Sequence, residues 1–405
     1  MHGGPSQVDT FDPKPQLARF DGQPPPAEFH QLDLQFTDVS KQKLMASRQK
    51  FDRYGESGLE MCRGFERLSL CADDLTVIRS MHHETFNHTP GIFLMNTGEA
   101  RMGRPSLGSW LTYGLGCETQ NLPAYVVMND GPLKPGPGVW GNGFLPTVHQ
   151  GTNIKSGPSP IGNITSQPEL AGIDQRRTLD FAQWLNRRHR DQRPGDGNLE
   201  ARIASYELAF RMQSAAPEAV DIRRETKTTR DLYGGGFGEQ CLVARRLVER
   251  GVRMVQIYHG CGGGGWDTHG DNHNRHVSLI QSIDQGCAAL LTDLKARGLL
   301  DETLVIWGGE FGRTPTTEGT NGRDHSPYGF SMWLAGGGVR GGQTIGTTDD
   351  FGFQAVENKV HLHDLHATIL KLMGLDPEHL AHRVAGLDQR LIGVESRHDI
   401  YDLLT

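Results

Sequence analysis

The run TLVIWGGEFGRTP, residues 303–315, decides the fold. Its first half is a β-branched and aromatic stretch that reads as a buried strand, closed by Gly308 and Gly309. Its second half delivers Glu310 and Arg313, and GRDHSP at 322–327 soon adds Asp324 and His325. A strand whose C-terminal end opens onto acids and histidines is how open α/β sheets build ligand sites.

Reading outward, the same alternation continues on both sides. Upstream, GEQCLVARRLVERG (238–251) has helical spacing and stops at Gly251, and VRMVQIY (252–258) reads as a strand. HVSLIQSIDQGCAALLTDLKARG (276–298) is a long helix ending at Gly298. Downstream, FSMWLAGG (330–337) is a further strand and DLHATILKLMG (364–374) a helix closed by Gly374. Strands alternating with helices predict βαβ units and a predominantly parallel central sheet flanked by helices, with these three late strands in it. Earlier, LTVIRSM and AYVVMN read as strands, and the first 40 residues as extended loop. Residues 151–167 read as loop by their Gly, Pro and Ser content, followed by surface helices at 169–193 and 199–214. The whole, 1–405, is expected to form a single α/β domain with a helical, loop-rich insertion at about 151–237.

Bulk properties exclude several classes. The net charge of −7 offers no basic footprint for nucleic acid. No run approaches the ~18 apolar residues of a membrane helix, and the start has neither the basic nor the apolar region of a signal peptide. The six cysteines are scattered without a C-x-x-C pair and read as buried thiols. No G-x-G-x-x-G follows a strand and no P-loop motif occurs, which argues against nucleotide binding of those kinds.

The polar residues then fall into clusters at one edge of the expected sheet. GWDTHGDNH, with Asp267 and His269, follows the strand at 252–258; Glu310, Arg313, Asp324 and His325 follow the next; HLHDLHATIL opens the last helix. Eleven of the 18 histidines lie in four short stretches, 82–88, 259–276, 325 and 361–366. Asp, Glu and His are the usual ligands of zinc, and carboxylates also accept harder cations. A bound cation would hold the acids ionised despite their crowding. The expected cofactor is therefore a divalent metal, zinc first, with Ca, Mg or Mn as alternatives.

The order HGGPSQVDTFDPKP … GRPSLGSWLTYGLG … GWDTHGDN … DLKARGLLDETLVIWGGEFGRTP … GRDHSPY … AGGGVRGG … DLHATILKLMGLD closely resembles the sulfatase-like family called domain of unknown function 1501. The resemblance implies the fold of the alkaline phosphatase superfamily, with divalent metals at strand ends and hydrolysis of phosphate or sulfate esters. It implies metal roles for Glu310, for Asp267 and His269, and for Asp324 with His325. His2 is placed near the strand-end metal position, followed by Asp9 and Asp12; His363 and His366 are weaker candidates and Asp364 an N-cap. The segment HTPGIFLMNTG (88–98) stands where sulfatases carry their nucleophile, with His88 in the nucleophile's place and Thr89 and Ser106 as spare hydroxyls. Arg313 and Arg323 are candidate anion clamps.

Members of the family usually begin with an export signal and an apolar strand leading into HGGPS. The resemblance thus implies an exported, periplasmic location and a truncated first strand. The expected partner is a small anionic ester or a sulfated glycan. The competing expectation is a degenerate sulfatase-like scaffold that binds a sulfated glycan or a protein.

Overall fold

The computed structural model describes residues 1–34, 38–155, 175–192, 197–393 and 398–405. Its hydrogen bonds define two main sheets. One is built on β1 (Thr76–His82), and the other contains β2 (Tyr125–Asn129), β3 (Thr152–Ile154) and β4 (Met254–Tyr258) in the order β3-β2-β4, all parallel. The first sheet adds β5 (Val305–Trp307), β6 (Phe330–Ala335), β7 (Gln343–Ile345) and the short β8 (Val360–His361). There β7 and β8 run parallel to β1, whereas β6 is antiparallel to both β1 and β5.

The α/β class and a parallel sheet flanked by helices are therefore present, with one correction to the expected layout. The three late strands do not share one hydrogen-bonded ladder: VRMVQIY joins β2, while TLVIW and FSMWLA join β1's sheet. The physical reason is a gap. Among the described residues β4 pairs only with β2 and β5 only with β6, and a cavity of about 640 Å³ lies between the two unpaired edges. FSMWLA is buried at all six positions, so it carries no alternation from which its antiparallel direction could be read.

Helices cover both faces. α1 (His88–Thr97) and α2 (Leu107–Leu115) follow the first strand; the other long helices are α3 (Gln175–Asp191), α4 (Gly197–Val220), α5 (Phe237–Val248), α6 (Asn272–Ala296) and α7 (Leu362–Leu372). Ala216 and Ala219 of α4 pack with Val126, Met128 and Ile154 on the small sheet. The segment expected as loop from 151 contributes strand β3, and the remainder of the 151–167 reading lies outside the described residues from 156 on. Five of the six cysteines are buried and all are free. No described helix is long and apolar enough to cross a membrane.

Candidate metal centre

β1 and β5 end at the same edge; the loop beyond β1 leads into His88, the first residue of α1, and the loop beyond β5 carries Glu310. The loop after β4 carries Asp267 and His269, and a short strand pair, Gly312–Arg313 with His325–Ser326, brings in His325. Two close approaches lock these loops together. Arg323 donates its backbone N–H to Thr268 O at 3.1 Å, and Gly322 packs so tightly on the His269 carbonyl that a Cβ has no room. At Gly3, with φ +111°, a Cβ would collide with the Asp267 backbone.

The result is that ligand atoms of His88, Asp267, His269 and His325 all lie within 4.8 Å of one another. Each imidazole is oriented by an acceptor at Nδ1. His88 Nδ1 lies 2.7 Å from Glu310 Oε1, His325 Nδ1 lies 2.7 Å from the Phe86 carbonyl, and His269 Nδ1 contacts Glu318 Oε2. An acceptor at Nδ1 fixes the proton there and leaves a lone pair on Nε2, the arrangement that presents a histidine to a metal.

The three Nε2 atoms then face lone pairs. His269 Nε2 is 2.9 Å and His325 Nε2 3.2 Å from Asp267 Oδ1, and the two nitrogens are 3.0 Å apart. His88 Nε2 lies 3.1 Å from Asp267 Oδ2 but outside hydrogen-bonding geometry, a buried nitrogen with no hydrogen-bond partner. With neutral rings four lone pairs point at one another, a repulsion relieved either by protons on the rings that the carboxylates raise or by a cation among them. A tetrahedron with metal bonds of ~2.0 Å has edges of roughly 3.3 Å, and the separations of 2.9, 3.2 and 3.0 Å among Asp267 Oδ1, His269 and His325 lie close to what a divalent ion requires. The donor set suits one.

Electrostatics agree. Burial works to raise the Asp267 carboxyl, but His269, His325, His88 and Arg313 together hold it far below the usual range. Glu310 is fully enclosed, yet its hydrogen bond with His88 keeps its pKa down at about 2. Burial lowers His325 to about 4, so its ring stays neutral. The His269 side chain is 33% exposed against 2% for His325, so the centre opens to solvent on the His269 side.

The other candidates have different surroundings. Glu310 touches no second ligand of the group; it holds His88 and accepts the Gly3 N–H at 2.8 Å. Asp324 joins a second possible group with His269 and Glu318, and its Oδ1 accepts the His325 N–H at 2.7 Å. His2 stacks on His88 with ring centroids 6.0 Å apart, and neither of its ring nitrogens has a hydrogen-bond partner. Asp9 lies elsewhere, paired with Arg323 at 2.8 Å and bonded to Ser6, Ser47 and Asn272. Asp12 is salt-bridged to Lys14 at 3.0 Å. Arg313 donates to Asp267 at 2.8 Å and to the carbonyls of Gly3, Gly4 and Arg323.

Thr89 is exposed beside His88, and Ser106 is the N-cap of α2. Asp364 takes the third helical position of a capping box whose N-cap is His361, while His363 and His366 donate to the carbonyls of Gly98 and Met95. Glu318 escaped the sequence reading. Its one signal was an acid six residues before Asp324 in the same glycine-rich turn.

The model of a family described as "Protein of unknown function (DUF1501)" matches residues 1–404. None of the curated proteins matches the chain. Among solved structures, i-CgsB bound to a neocarrahexaose is similar at 11% identity and TM-score 0.38, covering 77% of this chain and 67% of its own. The PsFucS1 sulfatase from Pseudoalteromonas sp. is similar at 14% and 0.36, over 77% of this chain and 62% of its own. The phosphonate monoester hydrolase SpPMH from Silicibacter pomeroyi is similar at 9% and 0.37, over 79% and 71%. The chain thus spans about two thirds of the length of the structures it is similar to.

Proposed function

Because the chain belongs to the DUF1501 family, whose description names no activity, we propose a function from the site itself: metal-dependent hydrolysis of phosphate or sulfate esters. The observation that carries the reading is the convergence of His88, His269, His325 and Asp267, each imidazole held at Nδ1 by an acceptor. Three imidazole nitrogens and one carboxylate favour zinc or a similar transition metal over calcium or magnesium, which prefer all-oxygen sites. A bound ion of this kind polarises an ester oxygen and lowers the pKa of water.

The chain's own residues do the rest. Arg313 fixes Asp267 rather than clamping substrate, since its guanidinium is already shared among backbone carbonyls. Glu310 and Glu318 keep the rings of His88 and His269 aimed inward. The first turn of α1 begins at His88, so the positive end of the helix dipole lies beside the centre, where an anionic ester is stabilised. Thr89 is the hydroxyl within that turn.

A second reading is a scaffold that binds a sulfated glycan or a protein without turnover. It is favoured by the count of four protein ligands, the number found in closed structural sites. Metal analysis of the purified chain, followed by aryl phosphate and aryl sulfate esters with and without chelator, separates the two. One bound ion per chain with chelator-sensitive turnover supports the hydrolase. A stoichiometric ion without turnover supports the scaffold, and no divalent ion bound at micromolar concentration overturns both.

A further inference from the structure

Helix α3 turns its most apolar face to solvent. At helical spacing Arg177, Phe181, Trp184, Leu185 and Arg188 fall on one side of Gln175–Asp191, over about 17 Å of helix. All five are exposed, Phe181 at 61%, Trp184 at 46% and Leu185 at 47%. The partly buried positions, Leu179, Gln183, Asn186 and Arg190, lie on the other side. That side meets α4: Gln183 donates to Glu207, and Arg176 pairs with Glu207 at 3.5 Å and lies over the Phe210 ring. A helix that packs by its polar side and shows two aromatic rings and a leucine to water reverses the ordinary pattern of a surface helix. Elsewhere among the described residues, exposed large apolar side chains come singly along the chain, the usual state of a protein surface.

The face also has a sign. α3 holds five arginines against two aspartates, in a chain of net charge −7. Both aspartates are engaged locally, Asp180 with Arg176 at 2.5 Å and Asp191 with Arg190 at 3.2 Å. Arg187 on the flank and Arg188 on the face have no ion pair among the described residues. The Arg188 guanidinium lies 4.9 Å from the Trp184 ring centroid, and the Trp184 ring stacks on Phe181 with centroids 5.9 Å apart. Trp184 is therefore stacked on its neighbours along the helix, not presented as an open platform for a sugar ring. A second copy of the chain fits poorly as well. Antiparallel contact of two such faces sets Arg188 opposite Arg177 across a two-fold axis, like charge against like.

We propose that α3 is an interfacial helix that docks the protein on an anionic phospholipid surface. Such a surface is apolar below and negative at its border. It accepts Phe181, Trp184 and Leu185 at the boundary between headgroups and acyl chains, where tryptophan is favoured. Arg187 and Arg188 then reach the lipid phosphates from the flank and the end of the stripe. The helix lies on the membrane and does not cross it, in keeping with its many charges.

Trp184 supplies the probe, because the other five tryptophans are buried. Vesicles of phosphatidylglycerol and phosphatidylcholine should bind the full chain, shift its tryptophan emission to the blue and, with brominated acyl chains, quench it. Phosphatidylcholine alone should bind at least about tenfold more weakly. Phe181→Ser with Leu185→Ser should abolish cosedimentation with the anionic vesicles. Arg187→Ala with Arg188→Ala should weaken it about tenfold or more. Both double variants should keep the parent's far-UV spectrum and Tm, since the four side chains are exposed. Absence of binding to anionic vesicles overturns the proposal, as does binding that either pair of substitutions leaves intact or that leaves Trp184 unquenched. Protection of Trp184 from acrylamide without lipid, in a dimer or by dextran sulfate, assigns the face to a second copy or to a sulfated polysaccharide and also overturns it. None of these readouts involves metal or turnover, so the hydrolase reading stands or falls separately.

Discussion

At the scale of single residues, the proposed metal centre rests on acceptors at Nδ1 that orient its rings from outside the four-residue cluster. Glu318 contacts His269 Nδ1. Glu318→Gln should therefore weaken divalent binding by about 10–100-fold with the far-UV spectrum unchanged, as read by metal titration; unaltered affinity would remove it from the assembly. On the proposed reading His325→Ala deletes a ligand and should abolish stoichiometric metal. Asp9 makes the contrast. Its carboxylate is held well below the ordinary range, burial opposing and the Arg323 ion pair prevailing. Breaking a buried pair costs about 3–5 kcal/mol, so Asp9→Ala should lower unfolding free energy by that amount while the folded fraction still binds one ion. Asp267, His269 and His325 were legible in the sequence because acids and histidines at strand ends are rare without a reason. His88 was noticed for a different role, since an isolated His before an apolar helix says nothing about where its Nε2 points. Glu318 was invisible: a glutamate in a Gly/Thr turn is ordinary until its contact with His269 is known.

At the scale of elements, boundaries set by glycine were the easiest to read. The helices stopping near Gly251, Gly298 and Gly374 all end within a few residues of those positions, where each glycine has positive φ. Gly98 closes α1 in the same way, with φ +71°. It also packs against the Leu391 carbonyl, which leaves no space for a Cβ. Gly98→Ala combines left-handed strain with that collision, and should destabilise by more than the ~1 kcal/mol of a simple C-cap loss. Chemical denaturation measures it; a cost under that value would mean that the 391 segment moves aside freely. Strand β3 was harder. Its three residues follow a proline- and glycine-rich region and are recognisable only through their pairing with Val126–Met128. Pairing direction was equally hidden in β6, where six buried residues read the same whichever way the chain runs.

At the scale of the whole molecule, three buried histidines outside the metal centre tie stability to pH. His83 donates from Nε2 to Glu310 O at 2.5 Å and accepts the Thr85 N–H at Nδ1, 3.1 Å away. His276 accepts Ser6 N–H at Nε2, 2.9 Å away, and its Nδ1 lies 3.0 Å from Asn272 O. In both rings one nitrogen gives and the other receives, so a second proton would face an N–H instead of a lone pair. His366 donates to Met95 O at 2.9 Å and has its Nδ1 buried without a hydrogen-bond partner. Burial lowers His83 and His276 to about 4 and His366 to about 3, against 6.5 for an exposed ring. The unfolded chain therefore binds these protons first. Their contribution is complete above about pH 6.5 and is lost as pH falls through about 4, with His366 extending to about 3. His88 and His269 act in the opposite sense in the ion-free chain. Two adjacent carboxylates raise each ring, against burial at His88 and led by Asp267 at His269, so their contribution fades as pH rises. A difference measurement cancels them. Unfolding free energy of the chain and of His276→Gln, followed from pH 7 to 4.5, should show both losing stability on acidification, with the variant's slope smaller by about one proton. Glutamine still offers an acceptor to Ser6, so the comparison isolates the proton from the packing. Parallel slopes would show that His276 already carries its charge in the folded protein, and the neutral pairing with Ser6 and Asn272 would then be wrong.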